Sequence, residues 1–78
     1  MTKAFVLINS EIASEEDVLR ELKKIKEVEE AHIVYGVYDI IARVSAKDME
    51  DLRSAVTNRI RRIDKVRSTL TMVVAEGV

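Results

Sequence analysis

The sequence contains no cysteine and no proline, and only two of its 78 residues are glycine. Without cysteine, the chain can form no disulfide and offers no thiolate to a metal ion. Two isolated glycines cannot build a glycine-rich phosphate-binding loop, and the lack of proline leaves no sign of a rigid linker. These absences predict one small domain over residues 1–78, with no second domain and no cofactor.

Aromatic residues and long hydrophobic runs are also scarce. Phe5, Tyr35 and Tyr38 are the only aromatics, and RNA-binding sheets of this size need exposed aromatics in mid-strand to stack bases. No apolar run approaches the roughly 20 residues that span a bilayer. Thirteen Lys and Arg residues balance fourteen Asp and Glu residues, so no bulk charge attracts nucleic acid or anionic membrane. We therefore expect a cytoplasmic protein that contacts neither DNA nor membrane directly.

The segments that are present alternate between β-forming and amphipathic runs. The predicted elements are strand Lys3–Asn9, a helix that begins near Ser14, strand Glu30–Tyr35, strand Tyr38–Ser45, a helix over residues 46–64, and strand Val66–Ala75. The order βαββαβ predicts an α+β, ferredoxin-like fold, with a four-stranded antiparallel sheet and both helices on one face. Right-handed crossovers place strands one and three in the centre of that sheet.

Candidate caps mark the start of both helices. Ser14 can cap the first helix, and Asp17, three residues further on, can reach back to the Ser14 backbone. Ser45 or Asp48 can cap the second helix.

The first strand is apolar on both of its faces. Ala4, Val6 and Ile8 form one face, and Phe5 and Leu7 form the other. A strand of this kind is buried on both sides, but two helices can cover only one side of the sheet. The sequence therefore predicts that a second copy of the chain covers the other side, giving a dimer that pairs sheet to sheet.

Few residues suggest catalysis or metal binding. His32 is the only histidine, so the chain lacks both a metal cluster and a Ser/His/Asp group. A local basic cluster matches the favourable placement of cations at a helix C-terminus. It comprises Arg59, Arg61, Arg62, Lys65 and Arg67.

The central hairpin is the best candidate site. Gly36 lets a ligand approach the backbone closely, and Asp39 can face a primary ammonium. Two tyrosines can wall a small pocket, and hydroxyls from the last strand can bind a carboxylate. On spacing alone, Gly36 and Asp39 are also explained as turn residues. The other residues of this candidate site are Tyr35, Tyr38, Thr69 and Thr71.

Three segments resemble the effector-binding domain of the Lrp/AsnC transcription regulators, also called the RAM domain. They are Val34-Tyr35-Gly36-Val37-Tyr38-Asp39-Ile40, the helix Asp48–Arg62, and Val66-Arg67-Ser68-Thr69-Leu70-Thr71. The resemblance extends from Ala4 to Glu76, and its most specific part is the Gly-x-Tyr-Asp turn. The family commonly has Pro-Gly-Val leading into the last strand, where this sequence has Ile63-Asp64-Lys65-Val66.

This resemblance implies a stand-alone effector domain, without the helix-turn-helix domain of the full-length regulators. It implies sheet-to-sheet dimers (a dimeric α+β barrel) that assemble into rings, with amino acid effectors bound between dimers. The chain would sense an amino acid without catalysis, and would act on transcription or metabolism through partners such as full-length Lrp/AsnC-type regulators. The positions that match the family's ligand region are Gly36, Tyr38, Asp39, Thr69 and Thr71, with Tyr35 and Ser68 as neighbours.

Two alternatives remain open from the sequence. A small dimeric enzyme of the ferredoxin-like class, such as a monooxygenase or isomerase, needs a polar residue in the cleft between helices and sheet, and His32 is the candidate. A purely structural oligomerisation module needs no ligand at all.

Overall fold

The computed structural model describes residues 1–77, and Val78, the last residue of the expected tail, lies outside the described residues. The strands are β1 (Thr2–Ser10), β2 (Val28–Ile33), β3 (Ile40–Ala46) and β4 (Val66–Val73). The helices are α1 (Glu15–Leu22) and α2 (Met49–Ser54), and α2 continues as a π-helical segment over Ala55–Ile60. All strand pairs are antiparallel in the order β2-β3-β1-β4. The predicted fold class and the central position of the first and third strands are confirmed.

The core lies between the helices and one face of the sheet. Ala4, Val6 and Ile8 of β1 are completely buried, and each pairs with a buried residue of β3. Burying aliphatic side chains of this size contributes about 1.5–3 kcal/mol for each large residue, and this contribution is the main source of stability. The other core residues that are completely or almost completely buried are Val18, Leu22, Ile40, Ala42, Val44, Leu52 and Ile60.

The opposite face of the sheet is open in the single chain. Phe5 pairs with Met72 and Leu7 pairs with Leu70, so these four apolar side chains share the face that no helix covers. Phe5 is 38% exposed, and Leu70 and Met72 are 44% and 47% exposed. A contiguous apolar patch on a sheet face is typical of an interaction surface.

The two helices begin differently from one another. The prediction for α1 is wrong: the Ser14 hydroxyl donates to the Ile12 carbonyl at 3.4 Å and caps no N–H group. Asp17 does not reach back, because its carboxylate binds Arg20 and Lys65, each at 3.0 Å. For α2, the Asp48 side chain accepts a hydrogen bond from the backbone N–H three residues later at 2.8 Å, so Asp48 is the cap.

The second helix changes its winding after Ser54. In this π-helical segment, Ala55–Ile60, backbone hydrogen bonds join an N–H to the carbonyl five residues earlier rather than four. One example is the 2.9 Å hydrogen bond that the Arg61 N–H donates to the Val56 carbonyl. Amphipathic spacing predicts a continuous helix and gives no signal for such a change. π-Helical turns are rare and occur frequently at functional sites.

Two residues other than glycine adopt the left-handed backbone conformation. Ala13 has φ 64° in the connection between β1 and α1, and Lys65 has φ 76° directly before β4. Lys65 stands where the Pro-Gly-Val pattern has glycine, so this turn keeps a glycine-like backbone without glycine. The Lys65 ammonium binds Asp17, and this contact ties the turn to α1.

The central hairpin is longer than a tight turn. β2 ends at Ile33 and β3 begins at Ile40, so six residues connect them. The Val34 N–H donates to the Asp39 carbonyl at 2.8 Å and closes this loop. Gly36 has φ +153°, in the region that L side chains rarely adopt. Apart from Gly36 and its two chain neighbours, no heavy atom of the described residues lies within 4 Å of a Cβ placed there. Glycine is therefore needed for the backbone conformation and not for lack of space.

Candidate functional site

Asp39 joins the hairpin to the end of β1. Its backbone N–H donates to the Ile8 carbonyl at 3.0 Å. Its Oδ2 accepts a hydrogen bond from the Ser10 backbone N–H at 2.9 Å and a longer one from the Ser10 hydroxyl at 3.4 Å. Ser10 is buried at a bulge in the pairing of β1 with β4, where the ladder cannot satisfy every N–H group. Asp39 is therefore a structural residue, and within residues 1–77 its Oδ1 receives no hydrogen bond.

One groove lies beside this carboxylate, and we call it the acidic groove. It encloses about 500 Å³ where β1, the hairpin and β4 meet. Three carboxylates and one guanidinium line it, so its charge is negative and favours a bound ammonium. The lining residues are Asn9, Ser10, Glu11, Ile12, Ala13, Glu15, Asp39, Arg67 and Ser68.

A second groove runs between the edge strand β4 and the helix formed by α2 and its π-helical continuation. We call it the arginine groove. It encloses about 350 Å³. Its charged lining residues are Arg53 and Arg61, and no carboxylate of residues 1–77 lines it. Three threonine hydroxyls add hydrogen-bonding groups. The lining residues are Met49, Leu52, Arg53, Val56, Thr57, Arg61, Thr69, Thr71 and Val73.

The residues predicted as one site are thus divided within the chain. Asp39 and Ser68 line the acidic groove, whereas Thr69 and Thr71 line the arginine groove on the helix side of β4. Strand alternation separates Ser68 from Thr69, because successive residues of a strand point to opposite faces of the sheet. At the start of β4, Arg67 and Ser68 both line the acidic groove. The remaining three predicted residues, Tyr35, Gly36 and Tyr38, line neither groove, and Tyr35 is fully exposed on the hairpin.

His32 lies on the open face of the sheet. It pairs with Ile41, one residue along from the pair Ile33 and Ile40, of which Ile40 is buried against the helices. Its Nε2 is 3.5 Å from a carboxylate oxygen of Glu30. His32 therefore does not point into a cleft between helices and sheet, and the expected position of the enzyme alternative's histidine is wrong.

A third groove, of about 530 Å³, lies between the two helices, and its charges are mostly paired. Asp17 binds Arg20 and Lys65, and Glu21 binds Lys24 at 3.0 Å. The hydrogen bond between Asp17 and Lys65 is the main cause that lowers the pKa of Asp17 and raises the pKa of Lys65. Exposed pairs of this kind are typical of a solvated helix surface.

Neither a metal site nor a membrane span is found in the described part of the chain. No group of three or more His, Cys, Asp or Glu side chains is placed there to hold a metal ion. No helix within residues 1–77 has the length and apolar character needed to cross a membrane.

Comparison with known proteins identifies the family. The model of the Lrp/AsnC ligand binding domain matches residues 3–78. This chain belongs to that family. The HTH-type transcriptional regulator PH0140 of Pyrococcus horikoshii is 34% identical over 70 residues, which are 90% of this chain and 44% of that protein. The chain thus spans less than half the length of this curated relative.

Solved structures share the whole fold. TTHA0845 from Thermus thermophilus is 31% identical with a TM-score of 0.94, and the match covers 100% of this chain and 98% of that one. The transcriptional regulator NMB0573 from Neisseria meningitidis, solved as an L-Met complex, is 19% identical with a TM-score of 0.89. That match covers 99% of this chain and 51% of the other, and at this identity it shows the fold alone. The Lrp/AsnC-type, βαββαβ ligand-binding domain expected from the sequence is confirmed.

Five charged residues of the acidic and arginine grooves were not predicted as site residues: Glu11, Glu15, Arg53, Arg61 and Arg67. Arg61 and Arg67 were interpreted as part of a basic cluster at a helix end, and Arg53 was not singled out. The structure separates that cluster: Arg67 faces the acidic groove, Arg61 faces the arginine groove, and Arg59 lies 3.9 Å from Glu27. Spacing along the chain carries no signal for this separation, because it depends on the strand register and on the π-helical winding.

Proposed function

We propose that residues 1–78 act as one non-enzymatic module that senses an amino acid and assembles with other copies. It works in the cytoplasm, without binding DNA itself, and modulates transcription or amino acid metabolism through protein partners. Full-length Lrp/AsnC-type regulators are the proposed partners, since a curated relative of this chain is an HTH-type transcriptional regulator. Membership of a ligand-binding domain family supports this proposal.

The division of the predicted site between two grooves of opposite charge is the observation that carries the proposal. A free amino acid has an ammonium and a carboxylate, and both must exchange water for protein partners on binding. Asp39 in the acidic groove suits the ammonium, and Thr69 and Thr71 in the arginine groove suit the carboxylate. We propose that the acidic groove of one copy and the arginine groove of another hold the ligand together.

The hairpin contributes to this site through its backbone and rings. Gly36 leaves the loop backbone without a shielding Cβ, so a second copy or a ligand can approach it closely. Tyr35 and Tyr38 flank that backbone, and the fully exposed Tyr35 provides apolar area for contact with a neighbouring copy. Ser68 adds a hydroxyl beside Asp39 in the acidic groove.

The open sheet face supports the dimer that this assembly needs. Phe5, Leu7, Leu70 and Met72 leave apolar area that a second sheet can bury. Burial of apolar area contributes about 25 cal/mol for each Å² removed from water. A dimer formed through this face keeps the hairpins, and with them the acidic grooves, available for contact with further dimers.

The L-Met complex of NMB0573 is an instance of an amino acid bound to a protein that contains this fold. It supports the ligand class by analogy of fold only.

A thermal-shift screen of the full chain against the twenty amino acids tests the proposal. A ligand that binds the folded state raises the melting temperature by an amount that grows with its concentration. We expect at least one amino acid to do so, and we expect Asp39→Asn to weaken that effect while Asp64→Asn, the matched control outside both grooves, leaves it unchanged.

Sedimentation of the same samples measures the assembly. An amino acid response together with dimers or larger species supports a sensor. Assembly without any amino acid response would favour the purely structural module, and a monomer of 8.9 kDa would contradict the proposed assembly.

A further inference from the structure

The arginine groove carries more positive charge than a neutral amino acid can use. Arg53 and Arg61 both line it, both are exposed, and neither forms an ion pair with any residue of the described chain. A single α-carboxylate is satisfied by one guanidinium, which binds it through two parallel hydrogen bonds, together with the nearby Thr69 and Thr71 hydroxyls. The second guanidinium is then left facing the rest of the ligand.

The winding of the helix brings these groups together. In a regular α-helix, residues eight apart such as Arg53 and Arg61 differ by roughly 80° around the axis. The π-helical segment Ala55–Ile60 has wider turns, which offset this rotation. Arg53, Thr57 and Arg61 consequently line the same groove.

The two guanidiniums of the groove favour a charged side chain of the ligand over an apolar one. The apolar lining of the groove is buried in part: Leu52 is 1% exposed and Val56 is 7% exposed, whereas Met49 and Val73 are 44% and 41% exposed. A leucine-like side chain placed against Arg53 or Arg61 would remove water from a guanidinium without replacing the lost hydrogen bonds. A carboxylate would replace them with charge-assisted bonds.

We propose that Arg53 and Arg61 determine specificity and select an amino acid with an acidic side chain, such as glutamate or aspartate. This inference rests on the proposed amino-acid-sensing function.

Calorimetric titration of the full chain with L-glutamate, L-aspartate, L-glutamine and L-leucine at one ionic strength tests the inference. Glutamine has nearly the shape of glutamate without its side-chain charge. We expect an acidic amino acid to bind about ten- to a hundredfold more tightly than glutamine or leucine, because a charge-assisted hydrogen bond is lost with each neutral ligand.

Arginine substitutions locate the source of the preference. Arg53→Gln and Arg61→Gln should each reduce the ratio of glutamate to glutamine affinity. Arg62→Gln is the matched control, because Arg62 lies on the same helix end but faces the groove between the helices. Unfolding curves of all three variants check that each one folds, and the exposed positions predict that they do.

The outcomes separate the two claims. Glutamine or leucine binding as tightly as glutamate would overturn the acidic specificity and leave the sensing function intact. A glutamate preference that survives both Arg53→Gln and Arg61→Gln would also overturn it. No response to any amino acid would overturn the proposed function and this inference together.

Discussion

Removing the Asp39 carboxylate tests whether this residue supports the fold as well as the candidate site. In Asp39→Ala, the buried Ser10 N–H loses its acceptor at 2.9 Å. An unsatisfied buried polar group costs about 1–3 kcal/mol, whereas the 3.4 Å contact from the Ser10 hydroxyl is too long to contribute much. We therefore expect Asp39→Ala to lower the free energy of unfolding by about 1–3 kcal/mol, and the melting temperature by about 4–8 °C for each kcal/mol.

Urea unfolding at one fixed protein concentration measures this change, because the stability of an assembling protein depends on its concentration. Glu76→Ala is the control for the loss of one negative charge, since Glu76 is exposed beyond β4. Asp39→Asn keeps an acceptor oxygen and should lose less stability than Asp39→Ala. For this reason Asp39→Asn is the better variant for binding experiments.

A double substitution separates the two bonds to Ser10. Because the backbone N–H is the main donor, Asp39→Ala should cost nearly as much in a Ser10→Ala background as in the wild type. Stability of Asp39→Ala within about 0.5 kcal/mol of the Glu76→Ala control would refute the structural role, since that range is typical of neutral surface substitutions.

Three further predictions concern the backbone, the open face and the surface charges. Ala13→Gly should raise the free energy of unfolding by about 1 kcal/mol in urea titration, because φ 64° strains a residue with a Cβ; destabilisation would contradict this. Leu7→Lys should shift sedimentation toward monomer, because it places a charge in the proposed dimer interface, and unchanged dimers would exclude that face. The hydrogen bond between Asp17 and Lys65 lowers the pKa of Asp17 in the folded state. This bond therefore stabilises the fold fully above the unfolded-state pKa of Asp17, and the stabilisation is lost as the pH falls through the folded-state pKa. Asp17→Asn should therefore reduce stability at neutral pH and approach the wild type in strong acid, and an equal difference at every pH would contradict this.

The fold was predictable because its strongest signal is local. Two-residue alternation in Val6 and Ile8, and three- or four-residue spacing in Leu52 and Ile60, each assign a buried face without any knowledge of the partner element. The order of the elements then restricts the sheet to few topologies. The strand boundaries were predicted less accurately: β2 ends two residues earlier than expected, and β3 begins two residues later. The loop between them is longer because the hydrogen bond from the Val34 N–H to the Asp39 carbonyl closes it.

The candidate site was predictable only in part, because it depends on orientation. Residues such as Ser68 and Thr69 are neighbours in the sequence but face different grooves. The bond from Ser10 to Asp39 joins residues 29 positions apart, and no spacing rule connects them. The failed contact from Asp17 back to the Ser14 backbone has a similar origin, because the Asp17 carboxylate gains two cationic partners instead, one of them 48 residues away.

A site divided between copies has a thermodynamic consequence that a site within one chain lacks. On the proposed arrangement, the ligand's ammonium binds the acidic groove of one chain and its carboxylate binds the arginine groove of another. Ligand binding and assembly then form one linked equilibrium, in which each must strengthen the other by the same factor. A tenfold increase in amino acid affinity on assembly therefore requires a tenfold stronger contact between the liganded copies, equivalent to about 1.4 kcal/mol. The size of the assembly would in this way report the concentration of the amino acid, without a conformational change inside the domain.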